Sequence, residues 1–455
     1  MWAPYYTCHK IMAGLLDAHR LAGSTRALEI AAAMGDWVAA RLAELPRESL
    51  DRMWGIYIAG EYGGMNESMA TLAGHFPDKP EYRTAAKAFD NTALLAATAA
   101  GEDRLDGKHA NQHIPQFTGY LRMYESGEGR DYFTAAENFW DMVVAHRGYA
   151  HGGTGVGEIL RARDVIAGSL YQYPDDPNHA ETCCVYNLLK LARNLFFHTG
   201  DAKYMEYYEL AMVNQILASR RDADSTESPE VTYFVPVRPG RRRDYGNIGT
   251  CCGGTGMENH TKHQDSVYFV AADGKSLYVN LYTNSTLDWT ARGVTVEQST
   301  DYPFEGASRL TIGVRRRSRF ALKLRVPAWC DGFAVAVNGE TQQIDAAPGT
   351  YATLNRTWRD GDTVDITLPL RLRTKAAIDA PDVQSVYYGP TLLAIRHEAV
   401  GDDLESGLID LSIGDDLEAA FEPADEPLHF TADGYTFAPL HLADDAPYHL
   451  YWRRR

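Results

Sequence analysis

Apolar residues recur at three- and four-residue spacing through most of the first 270 positions, the mark of helices that bury one face. The spacing predicts helices over 11–21, 28–45, 82–99, 114–124, 132–146, 185–198, 204–219 and 257–269. Gly, Asp and Pro separate them, as in Gly23-Ser24-Thr25, Ser126-Gly127-Glu128-Gly129 and Thr199-Gly200-Asp201. Thr25, Asp131 and Asp201 fit N-cap positions. Paired helices with short turns and longer Gly-rich loops suggest an α/α barrel, although a bundle or solenoid would show the same period.

From Ser276 the period changes to two. Ser276-Leu277-Tyr278-Val279-Asn280-Leu281-Tyr282 alternates, as do 294–298, 309–314, 320–326, 333–337 and 363–370. Turn signals such as Asn338-Gly339 and Asp360-Gly361-Asp362 stand between them. Short alternating strands with hairpin turns predict an antiparallel β-sandwich. The expected organisation is a helical catalytic domain over 1–272 and a β-sandwich domain over 273–455. Within the latter, 401–426 is acidic and aperiodic and reads as a loop, and 448–452 reads as a last strand.

Composition narrows the function. The chain has 455 residues, 45% apolar and 23% charged, a soluble globular balance that excludes disorder and fibrous repeats. Its 44 basic and 61 acidic residues leave a net charge of −17, which argues against a nucleic-acid partner. The acidity is local: between His397 and Trp452 there are fourteen acids and no Lys or Arg. No run of 18 apolar residues marks a membrane span. Met1-Trp2-Ala3-Pro4-Tyr5 lacks the basic-then-apolar order of a secretory signal, so a cytoplasmic chain is expected.

Six cysteines are too few for a disulfide scaffold. Four form the adjacent pairs Cys183-Cys184 and Cys251-Cys252; Cys8 and Cys330 stand alone. Glu181-Thr182-Cys183-Cys184 lies just before a predicted helix, where extended backbone lets Glu181 and Cys183 converge on one point. Cys251-Cys252 is followed by the small-residue run Gly253-Gly254-Thr255-Gly256. One carboxylate and three thiolates would make a tetrahedral zinc site. The alternative is an acid favoured by a helix dipole, with buried thiols behind it.

Other segments carry polar groups suited to a ligand. Glu158 ends the run His151-Gly152-Gly153-Thr154-Gly155-Val156-Gly157-Glu158, which serves either a pocket acid or a surface turn. No Gly-Lys-Ser/Thr follows, so this is not a P-loop. Glu61-Tyr62-Gly63-Gly64-Met65-Asn66-Glu67 is a similar loop before a helix. His109-Ala110-Asn111-Gln112-His113 spaces two histidines by four. Ala110 stands where a metalloprotease needs Glu, which favours hydrogen bonding to a polar substrate or to the fold. Trp2-Ala3-Pro4-Tyr5-Tyr6-Thr7-Cys8-His9-Lys10 is aromatic and polar, a combination suited to sugars. Arg241-Arg242-Arg243 reads as a solvated run.

Taken in order, these segments resemble the β-L-arabinofuranosidase group of glycoside hydrolases, families 127 and 146, from Trp2 through Trp452. The resemblance implies an (α/α)6 barrel followed by a β-sandwich, and a retaining, exo-acting hydrolase that frees L-arabinofuranose from an arabinose-containing glycan. It implies zinc on Glu181, Cys183, Cys251 and Cys252, with Cys251 as nucleophile and Glu158 as acid/base. Retaining hydrolysis places such a pair about 5–5.5 Å apart. His9, Asn66, Glu67, His109 and His113 match the substrate-pocket positions, and Cys184 matches no role. The same motifs fit a relative acting on another furanose or deoxy sugar, or an inactive zinc-containing carbohydrate-binding protein. The family pattern includes helices upstream of the Trp-Ala-Pro-Tyr-Tyr motif, so the barrel is expected to lack its first helices. The apolar stripe through Ile11, Leu15 and Leu16 would then be covered by a partner subunit, as in a homo-oligomer, or by upstream sequence.

Overall fold

In the computed structural model, residues 3–172, 178–221, 225, 230–246, 249–396, 407–443 and 445–455 are described. Helices fill the N-terminal region and largely antiparallel sheets follow, where the period changes. The helices extend beyond their apolar stripes, because polar first turns carry a cap signal rather than a periodic one. The predicted 11–21 is Pro4–Ala22, ended by Gly23 at φ 67°. The predicted 185–198 is Thr182–Thr199, and the helix expected from 257 is Cys251–Asn259, with Phe269 in the strand Tyr268–Val270 instead. The predicted 82–99 is two helices, Pro80–Ala88 and Thr92–Ala99, the second capped by Asn91. Of the expected caps, Asp201 serves, accepting from Lys203 N at 2.9 Å. Ser24 caps in place of Thr25, and Asp131 lies inside its helix. Arg47–Trp54 is a helix that the spacing did not reveal, and Met65–His75 is the helix expected after the loop at Glu61–Glu67, whose last residues it takes in.

Two compact units are present. The first comprises Met1–Gly148, Thr154–Val165 and Tyr186–Leu195. Its core holds Tyr5, Met12, Leu16, Trp54, Tyr62 and Phe89, so Leu16 is buried, while Ile11 is 52% exposed. Trp54 stacks on Phe89 at 5.1 Å and meets Tyr5 and Tyr62 edge-on, a geometry that adds to area burial. The second comprises Tyr149–Gly153, Ile166–Val185 and Phe196–Arg455.

In the second unit two sheets share one core. The strands Ser285–Trp289, Val294–Ser299, Ala307–Val314, Asp362–Thr367, Ala334–Val337 and Glu340–Thr341 form one sheet; Tyr268–Val270, Ser276–Val279, Ser318–Val326 and Thr350–Trp358 form the other. Val294–Ser299 alternates buried and exposed at every position, turning Val294 and Val296 inward toward Leu310, Ile312, Leu322 and Trp358. Asn338-Gly339, both at positive φ, make the two-residue turn between Val337 and Glu340. A third sheet, around Ala380–Tyr388 and Thr391–Arg396, takes in Tyr448–His449 and Trp452–Arg454. The expected loop 401–426 lies outside the described residues over 401–406; beyond it holds the short strand Ile409–Leu411 and helix Leu417–Ala420. Arg325, fully buried, bridges the sandwich to the helix Ala202–Ala211 through Glu206 and Glu209, each at 2.5 Å. Among the described residues no helix is long and apolar enough to cross a membrane.

Candidate metal centre and carboxylate–histidine group

Glu181, Cys183, Cys251 and Cys252 each present a donor atom, and these atoms all lie within 4.8 Å of one another. Backbone pairing sets them there. Glu181 bridges Phe234, Thr182 N donates to Tyr233 O at 3.0 Å, and Val235 N donates to Ala180 O at 3.3 Å. Gln215 Nε2 holds Ala180 O from the other side at 2.9 Å. This extended segment ends in Glu181, the N-cap residue of Thr182–Thr199, which leaves Cys183 in its first turn. Thr250 caps Cys251–Asn259, accepting from Gly253 N, so Cys251 and Cys252 open that helix. Two helix N-termini thus face the donors, and their dipoles favour negative charge.

The spacing suits a metal. Bond lengths of about 2.3 Å to sulfur and about 2.1 Å to oxygen give tetrahedral edges of roughly 3.5–3.8 Å. Cys252 Sγ lies 3.2 Å from Cys183 Sγ and 3.4 Å from Glu181 Oε1, and Cys251 Sγ lies 3.9 Å from that oxygen. Burial drives the Cys183 and Cys252 thiols up, while their hydrogen bonds to Cys251 pull its thiol far down. Four acidic donors this close cannot all ionise without a cation, and soft sulfurs suit zinc. Three neighbours were not legible as partners. Thr255 Oγ1 meets Cys183 Sγ at 3.0 Å, Tyr233 OH meets Cys251 Sγ at 3.6 Å, and the Cys184 thiol donates to Glu181 Oε2 at 3.4 Å. Thr255 stands four residues after Cys251; placing the helix start correctly would have put both on one face.

In the first unit, Glu158 sits at the tip of a tight turn. Val156 and Ile159 exchange both backbone hydrogen bonds at 3.0 Å, and Gly157 and Glu158 have φ 55° and 64°. That is the two-residue turn with positive φ at both centres. The carbonyl of Glu158 accepts from Ala110 N at 2.7 Å, and Oε2 lies 3.4 Å from His109 Nε2. His109 caps Ala110–Glu125: its Nδ1 accepts from Gln112 N at 3.2 Å, which assigns the ring proton to Nε2, facing Glu158. Glu61 Oε1 lies 3.9 Å from Nδ1, and burial raises its pKa; the Tyr57 ring meets the imidazole edge-on at 6.0 Å. Glu61 opens the loop read from the sequence as suited to a ligand, whereas no sequence signal marks Tyr57.

The remaining candidates hold this unit together. His9, buried and held neutral by burial, accepts from Gly64 N at 3.1 Å. Asn66 donates to Gln116 O at 2.9 Å, and Gly119 leaves it the room, since a Cβ there would come within 2.1 Å of Oδ1. His113 bonds the His109 carbonyl at 2.7 Å, and burial lowers its pKa to about 4. Glu67 pairs with Lys190 at 3.3 Å.

Sequence comparison adds a lineage. The family profile described as β-L-arabinofuranosidase, GH127 catalytic domain, matches residues 1–265, and the GH127 middle domain matches 276–370. The chain belongs to the GH127 family. A non-reducing end β-L-arabinofuranosidase of Bifidobacterium longum subsp. longum is 24% identical over 359 residues, 71% of this chain and 52% of its own length. The chain thus spans about half the length of that curated relative. Solved structures share the fold over 99% of the chain. A GH127 β-arabinofuranosidase aligns with a TM-score of 0.74 at 21% identity over 76% of its length. A GH127 β-L-arabinofuranosidase from Geobacillus stearothermophilus T6 aligns with a TM-score of 0.72 at 18% identity over 80% of its length.

Proposed function

We propose that this protein is a zinc-dependent, retaining hydrolase that releases L-arabinofuranose from the non-reducing end of β-L-arabinofuranosides in an arabinose-containing glycan. The observation that carries the reading is the convergence of Glu181, Cys183, Cys251 and Cys252 in a chain of this family. These four residues would hold the metal, and its charge would keep the thiols ionised at neutral pH. Cys251, partly exposed and at a helix N-terminus, is the nucleophile. Its sulfur forms a bond to the anomeric carbon as the bond to the leaving oxygen breaks. Glu158 delivers a proton to that oxygen, then takes one from the water that displaces the sulfur. His109 orients the Glu158 carboxylate through its Nε2–H. His9, Asn66, Glu67 and His113 would be the substrate-pocket positions, each held in place by a bond within the first unit. The catalytic work belongs to residues 1–272, with 273–455 as the β-domain.

The test is release of p-nitrophenol from p-nitrophenyl β-L-arabinofuranoside by zinc-loaded protein, beside a panel of other furanosides and deoxy sugars. Release from the arabinofuranoside alone is the expected result. Zinc-replete, folded protein that cleaves none of them would refute the reading.

A further inference from the structure

Next to the metal centre, within the second unit, lies a cavity of about 360 Å³ lined by Thr232, Tyr233, Phe234, Arg242, Asp244 and Tyr245 among others. Its size falls within the roughly 300–1,000 Å³ of ligand pockets. Tyr233 joins it to the chemistry, since the hydroxyl of this lining residue lies 3.6 Å from Cys251 Sγ. Tyr233 and Phe234 are half-buried, with ring centroids 4.6 Å apart, and offer aromatic surface to the cavity. Arg242 and Asp244 stand exposed on the same wall and supply a fork of donors and a pair of acceptors.

The wall is anchored. Arg243, between these two, is not part of a solvated run: it is buried, donates to Ala218 O at 2.7 Å and lies over the Tyr245 and Tyr448 rings. Tyr245 also carries Arg221 at 4.9 Å and donates to Ala218 O at 3.4 Å. Arg243 is buried, whereas Arg242 and Asp244 on either side of it are exposed and line the cavity.

We infer that this cavity is a second sugar subsite, holding the ring next to the arabinofuranose that is cleaved. The inference rests on the hydrolase reading above. Apolar ring faces for C–H surfaces beside charged donors and acceptors for hydroxyls suit a sugar. Because the arabinofuranose released is the non-reducing terminus, the neighbouring ring is the sugar that leaves.

Arg242→Ala and Asp244→Ala, both at exposed positions, test it on two substrates. These are an aryl β-L-arabinofuranoside and a disaccharide whose leaving group is a second arabinose. Relative to the first, kcat/KM for the disaccharide should fall roughly tenfold or more, as when a hydrogen bond to a charged group is lost. Ratios within about twofold of wild type in both variants would overturn the subsite. Should wild type cleave neither substrate, the hydrolase reading fails instead. The subsite is then read by saturation-transfer NMR with the disaccharide, and binding undiminished in both variants overturns it.

Discussion

Glu158 holds a backbone conformation that most residues avoid, at φ 64° in a turn that glycine or asparagine would make more easily. On the proposed mechanism this strained position is offset by the use of its carboxylate, which faces His109 Nε2 at 3.4 Å. Glu158→Gly should therefore raise stability by roughly 0.5–1 kcal/mol while abolishing turnover. A thermal melt showing lower stability, or surviving activity, would contradict this. Glu158→Gln should cut turnover of substrates with poor leaving groups about 100-fold or more, and of activated aryl glycosides much less, because those need little protonation. Equal loss on both would remove its acid role. A second carboxylate matters for a different reason. Asp90 is buried, accepts from Tyr132 OH at 2.6 Å and sits near Tyr62, Tyr120, Arg47, Lys87 and Glu128; burial raises its pKa to about 6. The folded state thus binds this proton more tightly than the unfolded chain, whose Asp titrates near 3.9. Stability from this group is present below about pH 4 and is lost as pH rises through about 6. Asp90→Asn should leave stability near pH 4 unchanged and add on the order of 2–3 kcal/mol above pH 6.5. Urea melts showing the same difference at both pH values would defeat it. The cysteine pairs were legible as letters in the sequence. The burial of Asp90 was not, since nothing in Phe89-Asp90-Asn91 tells that three tyrosines from distant segments close over it.

At the scale of elements, the centre depends on where helices begin. Thr250 caps the helix that Cys251 opens, so Thr250→Ala should cost about 1 kcal/mol and weaken zinc retention in a competition with a chelator. Unchanged retention would show that the cap does not position the sulfurs. Arg325 pairs with two carboxylates from the helix Ala202–Ala211, and Tyr302 OH adds a bond to Glu209 at 2.8 Å. Arg325→Ala would leave those acids buried without their partner and should destabilise by about 3–5 kcal/mol. A loss under about 1 kcal/mol in denaturant melts would mean that water or neighbours replace it. Much of this level was open to reading: the switch from helices to strands came from period alone, although the sandwich begins at Tyr268–Val270, just before the alternation at 276. The hidden part was polar. Arg325 interrupts an alternating strand as an ordinary outward residue would, and its burial depends on a helix more than a hundred positions earlier in the chain. The helix starts at Thr182 and Cys251 were missed for a related reason, since their first turns are polar or glycine-rich and no apolar stripe reaches them.

For the whole molecule, the four donors come from two segments nearly seventy positions apart, so a bound metal would cross-link the chain much as a disulfide does. Glu181 and Cys183 follow a strand-like stretch pinned to 232–235, while Cys251 and Cys252 begin a helix of their own; each pair reaches the other only in the folded state. Whatever binds the folded cluster and not the unfolded chain stabilises the fold by mass action, about 4 kcal/mol at a thousand times the dissociation constant. For a unit of nearly 300 residues, with about 2.1 cal/mol/K of unfolding entropy per residue, that corresponds to a shift of about 6–8 °C in the melting temperature. Exhaustive chelation should lower the melt by that order and abolish turnover together. Zinc should restore both, whereas magnesium and calcium, which prefer oxygen donors, should restore neither. A different pattern separates the alternatives. Activity lost with an unmoved melt would make the metal purely catalytic. A melt lost while activity persists in the surviving folded fraction would make it purely structural. Neither moving, with the chelated protein shown to be metal-free, would remove the metal from the mechanism altogether.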